Sequence, residues 1–140
     1  MDPVFQWVIK VTDEVVDQNG HVNNVAYVQW MQDVAIRHSE AAGCSALTSA
    51  MGASWVARTH HVEYLRPAFL GDSIVVLTWV SNFRKVRSLR KYKFVRAGQQ
   101  DVLVQAETDW VFVDAKTGRA RSVPEAIQNA FQIVAPEHEP

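Results

Sequence analysis

The chain has 140 residues, which suits one domain, and 48% of them are apolar, enough for a sizeable core. Its formal charge of −1 gives no overall field for nucleic acid or a membrane surface, and no apolar run reaches membrane-spanning length. A single cysteine, Cys44, excludes an intramolecular disulfide; with no basic segment and apolar run at the N-terminus, a cytoplasmic protein without a signal peptide is expected.

Val4 to Thr12 is predicted to be a strand with Phe5, Trp7, Ile9 and Val11 on one face. Asp13 to Asn24 reads as a loop turned at Asn19-Gly20. A helix is predicted from about Asn24 to Ala42, capped by Asn23 or Asn24 and stopped by Gly43. It is apolar almost all round, with a narrow polar stripe through Gln29, Gln32 or Asp33, Arg37 and Glu40, a pattern that predicts burial on most sides. After a short irregular piece, four strand-like runs follow, at about Ser54–Tyr64, Ser73–Phe83, Ser88–Arg96 and Asp101–Val113. In the last, Val102, Val104, Ala106, Thr108, Trp110 and Phe112 share a face. A closing helix from Pro124 to Phe131, with proline in its first position, and a solvated tail after Ala135 are expected to complete the chain. One buried helix among five antiparallel strands is an α+β layout, expected to form a single domain over residues 1–140.

The stretch Asp17-Gln18-Asn19-Gly20-His21-Val22-Asn23-Asn24 concentrates a carboxylate, an imidazole and side-chain amides just ahead of that helix. The first N–H groups of a helix lack internal partners and carry partial positive charge. A carbonyl held there is polarised, and a carboxylate nearby can attack it or activate water. An ordinary aspartate needs no tuning for that work, which makes Asp17 the candidate carboxylate; alternatively it bonds only the backbone of its own turn. An imidazole is the side chain best suited to proton transfer near neutral pH, which makes His21 a candidate for that role. Tyr27 and Trp30 lie on neighbouring helix faces, Tyr27 as a candidate substrate contact and Trp30 as core.

The run from Arg84 to Arg96 holds half of the chain's lysines and arginines and no acid. Such clustering asks for an anionic partner, with Arg84, Lys85 and Arg87 the candidates and Ser88 a hydrogen-bonding neighbour. The other reading is an edge strand protected by charge. Nucleic acid is not expected, because no recognition motif accompanies the charge. His61 and Glu63 face the same way but are too few for a metal site, and Cys44 reads as structural.

The form Asp17-x-Asn19-x-His21-Val22-Asn23-Asn24-x-x-Tyr27 resembles the signature of hotdog-fold thioesterases, especially plant acyl-carrier-protein thioesterases. The wider arrangement is similar to the bacterial 4-hydroxybenzoyl-CoA thioesterase group, and Tyr64-Leu65-Arg66-Pro67-Ala68 with Gly71-Asp72 supports it. The resemblance implies a curved sheet wrapped around one long central helix. It implies hydrolysis of acyl-CoA or acyl-carrier-protein thioesters without a cofactor. It gives Asp17 the role of nucleophile or general base, the Asn24 N–H that of carbonyl donor, and His21 and Asn19 supporting roles. Coenzyme A phosphates or the acidic face of a carrier protein would suit the basic run. Hotdog domains pair edge to edge, so a homodimer or homotetramer is expected, with active sites at the interface. Two alternatives stand beside the hydrolase. A hotdog hydratase or dehydratase carries Gly-Asp-x-Asn-Pro-x-His, from which this chain departs at Val16, at the residue after Asn19 and in the spacing of His21. A non-catalytic acyl-binding module shares the fold.

Overall fold

Apolar residues recurring every second position form five strands: β1 (Phe5–Lys10), β2 (Ala53–Tyr64), β3 (Ser73–Arg84), β4 (Arg87–Arg96) and β5 (Val102–Asp114). The structure, a computed structural model, describes residues 2–140. The strands make one antiparallel sheet in the order β1-β3-β4-β5-β2. β2 is therefore an edge strand, and its central residues Ala57 to His61 are exposed. Alternation is cleanest in β4, where Ser88, Arg90, Tyr92 and Phe94 are buried in turn.

Helix α1 (Asn24–Ala41) starts where the sequence places a cap: Asn23 accepts a hydrogen bond from the Ala26 N–H at 3.0 Å through its side chain. It stops at Gly43, whose φ of 80° suits a residue without Cβ. Ala26, Tyr27, Met31, Val34 and Ala35 pack against Ile74, Val76, Phe94 and Val104 of the sheet. Burial on most sides is not what α1 shows. Val25 is 77% exposed and Ile36 53%, because the sheet covers only one face of the helix.

Three other expectations need correction. The irregular piece after Gly43 is a second helix, α2 (Cys44–Ala50), too short to display an apolar period. The closing helix α3 is only Glu125–Gln128, with Pro124 at its N-cap rather than in its first position. Cys44, Ala53, Phe112, Val123 and Ile127 form a second apolar cluster joining α2, α3 and the sheet. The tail is not simply solvated: Trp79 Nε1 donates to Glu139 at 3.2 Å, and Lys91 pairs with Glu139 at 2.9 Å. The tail thereby covers an indole on the outer sheet face, leaving Trp79 only 4% exposed.

His38, on the buried face of α1, accepts a hydrogen bond from Arg90 Nη1 on Nδ1 at 2.9 Å. Burial first, and the Arg90 charge second, lower its pKa from 6.5 to about 3. The unfolded chain then binds the extra proton between those values and the folded chain does not. Stability is expected to fall as pH drops below 6.5, with a loss of ~2 kcal/mol by about pH 5. Denaturant midpoints across this range check it: the His38→Gln variant is expected to show a shallower dependence than the parent.

Candidate active site

The residues from Asp17 to His21 close a tight turn. The Asp17 N–H donates to the His21 carbonyl at 2.8 Å, and the Gly20 N–H to the Asp17 carbonyl at 3.0 Å. Gly20 takes a φ of 78°, the left-handed conformation that glycine adopts without strain. Asp17 Oδ1 accepts from the Asn19 and His21 N–H groups at 2.9 and 3.1 Å. The turn-holding role of Asp17 thus accounts for one carboxylate oxygen. Oδ2 has no hydrogen-bond partner among the described residues, and the side chain is exposed.

Two connections lock this turn to the start of α1. The Asn23 N–H donates to the Val15 carbonyl at 2.9 Å, and the Val22 N–H to the Ala68 carbonyl at 2.9 Å. His21 bridges to Phe69, and their rings meet edge-on at 5.0 Å. The loop carrying Phe69 is fastened in turn by Asp72, which accepts from the Phe69 N–H and pairs with Arg96. This is the structural work of the Pro67 to Asp72 phrase. The Asn24 and Val25 N–H groups meet no acceptor among the described residues, as expected for the first positions of a helix. The Asn24 carbonyl accepts from the Tyr64 hydroxyl at 2.9 Å.

A cavity of about 410 Å³ lies at this helix start, with Asp17, His21, Asn23, Asn24, Tyr27, Tyr64 and Arg66 in its wall. Asn19 does not line it; its contribution is the N–H bond to Asp17. Tyr27 is 2% exposed, in edge-on contact with Trp30, Tyr64 and Phe94 at 5.3, 5.7 and 5.2 Å. Its hydroxyl is buried without an acceptor, a costly arrangement for a polar group. Burial pushes its pKa up to about 12, so it remains a protonated donor.

The basic run is dispersed by the strand pleat. Arg87 pairs with Asp109 at 3.1 Å, Lys91 with Glu139 at 2.9 Å and Arg96 with Asp72, while Lys93 donates to the Pro140 carbonyl at 2.9 Å. Arg90 is buried at 4% exposure, and Ser88, at 6%, donates to the Asn82 carbonyl. Arg84 and Lys85 are exposed and have no ion-pair partner among the described residues. Within one chain these candidates are not brought to Asp17. The helix start is bonded by Tyr64, which lies in register with Val104, Phe94 and Val76, whereas Arg84 to Ser88 form the hairpin at the other end of the sheet. At about 3.3 Å per residue, β3 alone puts roughly 35 Å between the two ends.

Among the wall residues outside the site predicted from sequence are two polar ones, Tyr64 and Arg66, which belong to the phrase that closes β2. Tyr64 reaches α1 through its hydroxyl, and Arg66 stands at the rim, 3.5 Å from Asp101 and exposed. Their signal is positional: only the docking of the strand end on the helix start brings them into the cavity that Asp17 lines. Among the described residues no cluster of three or more His, Cys, Asp or Glu could hold a metal. His61 and Glu63 stand 4.0 Å apart at the surface, and His60 bonds Thr108 at 2.8 Å. Among the described residues no helix is long and apolar enough to cross a membrane.

A model of the thioesterase-like superfamily matches residues 11–131. The acyl-CoA thioester hydrolase YbgC of Escherichia coli is 26% identical over 132 residues, covering 92% of this chain and 96% of its own. The chloroplastic palmitoyl-acyl carrier protein thioesterase of Cuphea hookeriana is 25% identical over 111 residues; the match covers 73% of this chain and 26% of that longer protein. In three dimensions the chain is similar to YbaW, a probable thioesterase from Escherichia coli. The TM-score is 0.83 with 21% identity, over 89% of this chain and 94% of the other.

Proposed function

Because the chain belongs to the thioesterase-like superfamily, we propose that it hydrolyses acyl thioesters of coenzyme A or acyl carrier protein to a free acid and a thiol. One observation carries the reading: the Asp17 carboxylate and the unpaired N–H groups of the α1 start share one cavity. The thioester oxygen sits against the Asn24 N–H, where the helix dipole favours developing negative charge. Asp17 Oδ2 attacks the carbonyl carbon and expels the thiolate, leaving an acyl-aspartate anhydride that water then cleaves to restore the carboxylate, or it takes a proton from the water that attacks the thioester directly. The C–S bond breaks, the acyl carbon gains a hydroxyl derived from water, and the thiolate takes up a proton. His21, in the same wall, supplies that proton, while Asn19 steadies Asp17 through its N–H. The buried Tyr27 hydroxyl is a further donor for a substrate oxygen.

The reading extends to the assembly. The whole chain acts as one hotdog domain, with the sheet curving round α1 as its central helix. Edge strand β2 pairs antiparallel with its copy in a dimer, which covers the exposed backbone edge and the outer face of α1. Antiparallel pairing sets the hairpin end of one chain beside the helix-start end of the other. Arg84, Lys85 and Arg87 of one protomer then approach the cavity of its partner, where a phosphate or an acidic carrier surface would meet them. A single buried cysteine suits a cytoplasmic enzyme.

Thiol release, followed with a thiol-reactive dye over short, long and aromatic acyl-CoAs and an acyl carrier protein ester, tests the reading. Thiol appearing in step with free acid is expected. Loss of enoyl absorbance without thiol would instead mark a hydratase, and tight binding without turnover a binding module.

A further inference from the structure

A second cavity, about 520 Å³, lies between the C-terminal half of α1, β2 and the sheet, within the size range of small-molecule pockets. Its wall is mainly apolar, with Ile36, Val56, Val80, Phe83 and Phe131 among its residues. It begins at Gln32, eight residues past Asn24 and so about 12 Å along the helix. Against that lining stands one charge. Arg90 projects from the inner face of β4 and is 4% exposed. Nη1 donates to His38 Nδ1 at 2.9 Å and to Thr78 Oγ1 at 3.1 Å. Neither partner can neutralise it: threonine is uncharged, and His38, accepting on Nδ1 with its pKa lowered to about 3, is neutral. No carboxylate among the described residues forms an ion pair with Arg90, although Arg87, Lys91 and Arg96 on the same strand each have one. The Nε and Nη2 donors have no acceptor among the described residues, and neither is sealed from solvent space as an orphaned buried atom. A second donor in the same wall is also unpaired. Trp55 Nε1 is buried without a hydrogen-bond partner, its neighbour being the weakly accepting sulfur of Cys44.

A buried guanidinium without a counter-charge is expensive, and its planar fork matches a carboxylate. Resting on the thioesterase reading, we propose that this cavity takes the far end of the acyl group and that Arg90 there pairs with a terminal carboxylate, making ω-carboxyacyl thioesters the preferred substrate class. The apolar wall holds the methylene chain, and Arg90 supplies the charge-assisted hydrogen bonds.

Two assays on the whole protein decide it. The first compares thiol release from straight-chain acyl-CoAs with that from their ω-carboxy counterparts of equal length, in the parent and in Arg90→Met. The second titrates the free dicarboxylic acid and the matching fatty acid against tryptophan fluorescence, since Trp55 and Trp110 both line the cavity. The parent is expected to favour the ω-carboxy member by at least ~10-fold in kcat/KM and in Kd, about what one charge-assisted hydrogen bond gives. Arg90→Met is expected to abolish or reverse that preference. A parent that favours the unsubstituted chain, or does not discriminate, overturns the proposal even if the variant does not fold. Failure of the thioesterase reading would look different: no thiol from any ester, with the carboxylate preference still visible in the titration.

Discussion

Replacing Asn24 with proline is expected to lower kcat for thiol release by ~10²–10³-fold, the usual cost of losing one oxyanion donor. The substitution deletes the N–H proposed to hold the thioester oxygen and little else. Asn24 is the first residue of α1, where proline is well tolerated. The preceding Asn23 has a ψ of 151°, the extended conformation that a following proline requires. No acceptor among the described residues uses the Asn24 N–H, and its carbonyl, which Tyr64 bonds, is retained. Asn24→Ala keeps the N–H and is expected to stay close to the parent. Full turnover in Asn24→Pro, with an unchanged circular-dichroism spectrum, would remove this N–H from the mechanism.

The largest expected loss of stability comes from Phe94→Ala. Phe94 is fully buried on the inner face of β4, edge-on to Tyr27 at 5.2 Å and 6.4 Å from Trp30. Truncating such a ring removes its burial and leaves a cavity, at a cost of ~3–5 kcal/mol. For a chain of this size that lowers Tm by roughly 10–15 °C. Tyr27 loses its support at the same time, so activity measured well below the new Tm is expected to fall as well. A calorimetric scan with an unchanged Tm would mean that α1 is not held to the sheet through this contact.

Much of the frame is legible in local signals. Asn23 and Gly43 mark the ends of α1 because capping and left-handed geometry are properties of single residues. Alternating apolar positions mark the strands because the pleat turns every second side chain to the core. Legibility fails where a residue's type and its place disagree. Arg90 belongs by type to a basic run, yet its parity in β4 turns it inward, and only the assembled sheet sets it against His38 of α1. The rest of that run looks like one patch in the sequence, but the pleat and nearby carboxylates draw Arg87, Lys91 and Arg96 into separate pairs. Tyr64 and Arg66 illustrate the same limit at the site, since they reach the helix start only through the docking of β2. The turn role of Asp17 is readable from its neighbours, and one experiment tests the proposed chemistry of Oδ2.

That experiment is thiol release by the parent and by Asp17→Asn on the same thioester. Asparagine keeps an Oδ1 able to accept from the Asn19 and His21 N–H groups, so the turn and Tm are expected to survive. What it removes is the charge and basicity of the free oxygen. A loss of ~10²–10⁴-fold in kcat at unchanged Tm is the expected result for a carboxylate that attacks or activates water. Equal turnover in the two proteins would contradict the account and leave Asp17 with its turn alone.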